Sequence, residues 1–367
     1  MRRPFSPSLI VAFVAPLGLA ACSAVETMDF YWQGAAGQYD LISRARPIPE
    51  VIEQTGDAAL AARLERIRAM RAFATRELAL PDNGSYTKYT DLGRPFVLWN
   101  VFAAPPLSLA PLQWCFPIAG CVNYRGYFRE TEARAEAERL RALGEDVHVA
   151  GVPAYSTLGW FDDPVLSSFV RWPDTEVARL IFHELAHQLL YVKDDTAFNE
   201  SFATAVEDAG LARWLARERN PALDAQAARS ERLRAAFRLL TRDARARLAA
   251  LYASDLPAED KRRAKEETFA AMKVAYDRAK AGEPGLAGYD RWFAQSPNNA
   301  SLAAIGLYND RVPAFRVLLA EEGNDLPRFY ERVRELAALP KPERDAALTA
   351  AAARGPQLAA APALGHD

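Results

Sequence analysis

Residues 181 to 190 read Ile-Phe-His-Glu-Leu-Ala-His-Gln-Leu-Leu, and no other stretch limits the fold of this chain so strongly. Val177, Leu180, Ile181, Phe182, Leu185, Ala186, Leu189 and Leu190 cover nearly the whole circumference of a helix, so a helix here has to be buried. Inside it stand His183, Glu184 and His187, and three ionisable groups in an apolar helix are costly to bury unless something partners them. Chance is a weak explanation. The chain has only four histidines, and a random chain of this length and composition would contain about 0.003 matches to His-Glu-x-x-His.

Positions four apart lie on one face of a helix, so His183 and His187 can reach a single metal ion. A catalytic zinc takes three protein ligands and keeps one position open for water. The segment "YVKDDTA" can reverse the chain, with Asp194 or Asp195 capping a second helix that packs antiparallel to the first. Glu200, thirteen positions after His187, then faces the histidine pair. The His-Glu-x-x-His-x-x-Gly-x-x-His arrangement is excluded, because no histidine follows His187 before His366 near the end of the chain.

The 367 residues are half apolar, enough to bury a large core as one big domain or two modest ones. Lysines and arginines number 45 against 47 acids, a net charge of −2, so no basic surplus argues for a nucleic-acid partner. The start, "MRRPFSPSLIVAFVAPLGLAAC", reads as a signal peptide over 1–21: two arginines, an apolar run too short to be kept as a span, then small residues. Leu19-Ala20-Ala21-Cys22 resembles a bacterial lipobox, which implies a multiply acylated Cys22 and a stable membrane anchor. Serine after Cys22 then implies the outer membrane, with the folded body facing the periplasm. Export gives Cys115 and Cys121 a meaning as a disulfide across the Pro-Ile-Ala-Gly turn.

Periodicity places an amphipathic helix at 57–79, short β-rich runs from 84 to 127, a helix at 129–143 stopped by Gly144, and a strand at "DVHVAGV". Helices follow at 174–191, 195–217, 221–252, 257–281, 312–321, 325–338 and 341–353. The fold class is therefore α+β and predominantly helical, with a small mixed sheet and crossover helix ahead of the motif helix. A core over 22–217 is expected to carry the site, a helical region over 218–354 to pack on it, and a low-complexity tail over 355–367 to be disordered.

"HELAHQ" followed by "NESFATAVE" resembles the gluzincin zinc metallopeptidases, in which an Asn-Glu pair on the next helix supplies a ligand. Together with "CFPIAGCVNYRGYF", "AYSTLGWFDDP" and "NNASLAAIGLYNDRVPAFRVLL", it resembles a family of bacterial predicted aminopeptidases over most of the mature chain. The resemblance implies a gluzincin-like core holding one Zn2+ on His183, His187 and Glu200, peptide substrates, and Glu184 as general base toward a zinc-activated water. Glu207 is a candidate acceptor for a histidine N–H. Thr204 stands where the gluzincin pattern often has an aspartate, so that orienting role is shifted or lost.

Tyr155 and Tyr308 are the candidate donors to an oxyanion. "AYSTLGWF" is a candidate edge strand for an extended substrate, and Asp162, Asp163, Asn298 and Asn299 are candidate anchors for a free amine. Arg125 reads as a structural ion pair and His148 as a structural histidine among valines. An envelope endopeptidase and a non-catalytic zinc-stabilised binding module are the alternatives to an aminopeptidase. The oligomeric state is not legible in the sequence.

Overall fold

The computed structural model describes Met28 and residues 30–116, 120–154, 156–306 and 311–360; the signal peptide, Cys22, Tyr155, Tyr308 and His366 lie outside the described residues. Helix α1 (30–43) leads through β1 (Arg46–Pro47) and α2 (Ile48–Gln54) into α3 (Ala58–Leu78). The Asp57 carboxylate caps α3 by accepting from the Leu60 amide, and Ala79 ends it in a left-handed conformation. Leu64, Ile67, Met70, Ala74 and Leu78 recur at helical spacing and are buried.

Next come β2 (Lys88–Thr90), β3 (Leu98–Ala104), β4 (Trp114–Phe116), β5 (Gly120–Val122), β6 (Arg125–Tyr127), α4 (Glu130–Ala142), β7 (Asp146–Val152) and β8 (Val165–Leu166). The expectation of one small mixed sheet is corrected. Strands β6, β3 and β7 form a wholly antiparallel sheet, β1–β2–β8 forms a second one that is the mixed sheet, and β4–β5 is a hairpin. The reason is topological: α4 carries the chain across β3, so β6 and β7 run parallel to each other with an antiparallel strand between them. Cys115 and Cys121 face each other across β4–β5 and are joined as a disulfide.

The motif helix α5 (Asp174–Leu189) and its neighbour α6 (Thr196–Glu218) form an antiparallel hairpin in the main core. Asp195, rather than Asp194, caps α6 through the Phe198 amide. Asn199 closes the turn: its side chain accepts from the Val192 amide and donates to the Val192 carbonyl. At Gly210 a Cβ would sit 2.8 Å from both Leu78 and Phe182, so glycine lets α6 lie close against α3 and α5.

Helices α7 (Pro221–Ala253) and α8 (Ala258–Gly282), a 3-10 turn (Pro284–Tyr289), α9 (Asp290–Ala294) and α10 (Asn299–Gly306) follow. They bury a second cluster around Phe237, Leu248, Tyr276 and Phe293. The chain then returns to the main core through α11 (Val312–Glu321), α12 (Leu326–Ala338) and α13 (Lys341–Ala360), where Phe315, Phe329 and Tyr330 pack against Phe202 of α6. The main core thus draws on residues from Leu41 to Ala351, on both sides of position 217. Helix α13 continues to Ala360, and residues 361–367 of the expected tail lie outside the described residues. Among the described residues no helix is long and apolar enough to cross a membrane.

Candidate metal centre and catalytic site

Helix α5 buries Val177, Ala178, Ile181, Phe182, Leu185 and Ala186, and this packing turns His183 and His187 toward α6. The two Nε2 atoms lie 3.1 Å apart, and the Glu200 carboxylate oxygens lie 3.3 Å from His183 Nε2 and 3.7 Å from His187 Nε2. Ligand atoms around a tetrahedral zinc, with bonds of about 2.05 Å, are separated by about 3.3 Å. The three side chains therefore fit such an ion, and among the described residues they are a group with ligand atoms close enough to share one.

The electrostatics agree with the geometry. Burial works against charge on His183, yet the carboxylates of Glu200 and Glu207 outweigh it and raise this imidazole well above its ordinary range. Burial likewise pushes Glu200 up, but its contacts with His183 and His187 prevail and hold it down at about 2. The pocket stabilises positive charge between these groups.

Glu207, two turns beyond Glu200, accepts from His183 Nδ1 at 3.0 Å, which leaves Nε2 with its lone pair toward the centre. Its other oxygen accepts from Arg179 at 2.6 Å; Arg179 also donates to Asp208 at 2.7 Å, and Arg316 of α11 reaches Asp208 at 2.6 Å. Arg179, one turn before His183, thus fixes the carboxylate that fixes the histidine. Sequence reading missed it, because a single arginine on a mostly apolar helix carries no signature. Thr204 is half-buried on α6, one turn after Glu200. His187 Nδ1 is buried and has no hydrogen-bond partner among the described residues.

Glu184 lies among the same charges. Burial raises its pKa, His183 and His187 oppose this, and Glu200 and Asp163 add to it. A carboxyl poised above its usual range suits a general base.

Two tyrosines absent from the sequence reading stand near the site. Tyr124, just before β6, is pushed up to about 12 by burial and by the charges of Glu200 and Glu184. Tyr86 is fully buried with its hydroxyl unpartnered, adopts φ 62°, and is pushed well up by burial and by Glu184 and Asp163. Both are brought there by the sheets, from segments about 60 and 100 residues before Glu184, so local patterns could not have found them.

Residues 156–163 form a tight turn with Leu158 and Gly159 left-handed, which corrects the edge-strand expectation for "AYSTLGWF". The buried Asp163 carboxylate organises it, accepting from the Thr157 amide, the Thr157 hydroxyl and Gln188 Nε2. Asp162 is half-exposed and meets Lys88 at 3.5 Å. Asn298 and Asn299 fasten α10 to the antiparallel sheet through Val147 O, Pro105 O and Pro106 O, so their amides are committed to backbone partners. Arg125 pairs with Glu136 at 3.1 Å, and His148 is buried on β7 beside Phe102.

A predominantly helical α+β protein with two histidines and a glutamate from adjacent helices converging on one point is the class that fold and site define. Within it, the family model described as "Putative aminopeptidase" matches residues 29–348, and the chain belongs to that family. No curated protein and no solved structure matches the chain.

Proposed function

We propose that this chain is a zinc metallopeptidase with a gluzincin-like core, acting on peptides in the cell envelope as an aminopeptidase. The convergence of His183, His187 and Glu200, with the half-buried Glu184 next to His183 on the same helix, carries this reading. One Zn2+ held there would supply a Lewis acid that acidifies water and polarises a peptide carbonyl. Glu184 takes a proton from the attacking water and delivers it to the departing amine. Glu207 holds His183 in the tautomer that presents Nε2, and Arg179 holds Glu207. Tyr155, Tyr308 and Tyr124 are the candidate phenols for the oxyanion; Tyr124, with its pKa near 12, is protonated at neutral pH and can donate. The family's description supports the aminopeptidase activity. The amino-terminal sequence supports export, acylation at Cys22 and residence on the periplasmic side of the outer membrane, and the Cys115–Cys121 disulfide suits that compartment.

The test is mass-spectrometric cleavage of a mixed peptide library by the zinc-loaded chain from Ser23, beside its Glu184→Gln counterpart. Stepwise loss of amino-terminal residues by the wild type alone supports the proposal. Internal cuts would replace it with an endopeptidase, and zinc binding with no cleavage by either protein would replace it with a binding module.

A further inference from the structure

A cavity of about 370 Å³ lies away from the metal centre, between β7, α4 and α9. Strand β7 ends its sheet, pairing with β3 on one side and with no other strand among the described residues. The Val147 carbonyl points off that free edge, since Asn298 Nδ2 reaches it at 3.0 Å. In an antiparallel ladder the N–H and C=O of one residue point the same way and the direction alternates, so Val149 and Gly151 also aim their backbone groups outward. Asn298 covers the edge at Val147, and the cavity opens along the two residues beyond.

The walls are basic. Arg134 and Arg141 of α4 and Arg291 of α9 line the cavity against one carboxylate, Glu130. Glu130 pairs with Arg134 at 2.5 Å, and Arg141 pairs with Glu138 at 2.7 Å; both are exposed pairs within one helix, which contribute little and exchange readily. Arg291 stacks 4.8 Å from the centre of the Phe96 ring, which itself rests on Gly151, where a Cβ would lie 2.3 Å from it. A planar cation is thus held over the far end of the free edge.

We propose that the outer edge of β7 is a docking groove for an extended acidic polypeptide segment, which adds as a fourth strand and sets carboxylates against Arg134, Arg141 and Arg291. Backbone groups of Val149 and Gly151 supply the ladder, and the guanidiniums select acidic side chains on either side of it. The site is separate from the metal centre and does not depend on the proposed catalysis.

The test uses the full mature chain carrying Glu184→Gln, so that no peptide is cut, and a fluorescent, end-capped octapeptide alternating glutamate and valine. Fluorescence anisotropy should show saturable binding, weakened at least tenfold by Arg141→Glu with Arg291→Glu. The control pair Arg262→Glu with Arg263→Glu, on the exposed face of α8, should stay within twofold. Methylating two consecutive central amides of the peptide should also weaken binding at least tenfold, and hydrogen exchange should show new protection at Val149 and Gly151. Absence of binding by the parent protein overturns the proposal. So does equal binding of the methylated peptide, which would mean the arginines collect anions without a strand, or binding of anionic lipid vesicles in place of the peptide.

Discussion

His183 is held by a chain of single contacts, Arg316 to Asp208 to Arg179 to Glu207, and each link determines how firmly the imidazole presents Nε2. Replacing an acceptor behind a metal-binding histidine typically lowers metal affinity 10–100-fold. Glu207→Ala is therefore expected to weaken zinc by about that factor in a chelator competition, and Arg179→Ala by a smaller one, because Glu207 remains but loses its anchor. Equal affinities in wild type and Glu207→Ala would detach this chain of contacts from the site. A second prediction concerns His148, which burial depresses to about 4. The unfolded chain takes up its proton near pH 6.5 and the folded one only near 4, so stability is complete above 6.5 and falls as the pH drops through that window. The loss is roughly 3 kcal/mol. Urea titrations at pH 7 and pH 4 should show a smaller difference for His148→Leu than for wild type.

Asp195 at the element scale does two things: it caps α6, and it receives the buried Arg344 of α13 at 2.8 Å. Asp195→Ala leaves that guanidinium unpaired in the core, which should cost about 3–5 kcal/mol in denaturant unfolding. Gly210→Ala forces a methyl against Leu78 and Phe182 and should cost about 1–3 kcal/mol. The capping role was legible in "KDDTAFNE" because caps are local chemistry, and the long helices were legible because their apolar spacing repeats. Arg344 as its partner was not, since 149 positions separate the two. The closeness of the candidate ligands His183, His187 and Glu200 was legible for the same reason as the caps: they lie within one hairpin. Tyr86, Tyr124 and Arg179 could not, because tertiary placement alone gives them their neighbours. The 156–163 segment misled in the opposite direction: its aromatic-rich sequence suggested an edge strand, but Asp163 gathers its donors into a turn.

For the molecule as a whole, the proposed binding of a cation at α5 and α6 would couple to stability through mass action. Free zinc at a hundredfold excess over its dissociation constant should add about 2.7 kcal/mol to unfolding. Differential scanning fluorimetry should show this as a rise in Tm that Glu200→Ala abolishes. An unchanged Tm with zinc in the wild type would count against a preformed site.

The His183–Glu207 span is also short in sequence. Loop-closure cost grows with the logarithm of the intervening length, and the three candidate ligands lie within an eighteen-residue segment, from His183 to Glu200. Because the chain is made amino terminus first, this hairpin is complete before α11 and α13 arrive with Arg316 and Arg344. On the proposed reading, metal capture would precede completion of the core, and the carboxy-terminal helices would then act as the latch that slows its release.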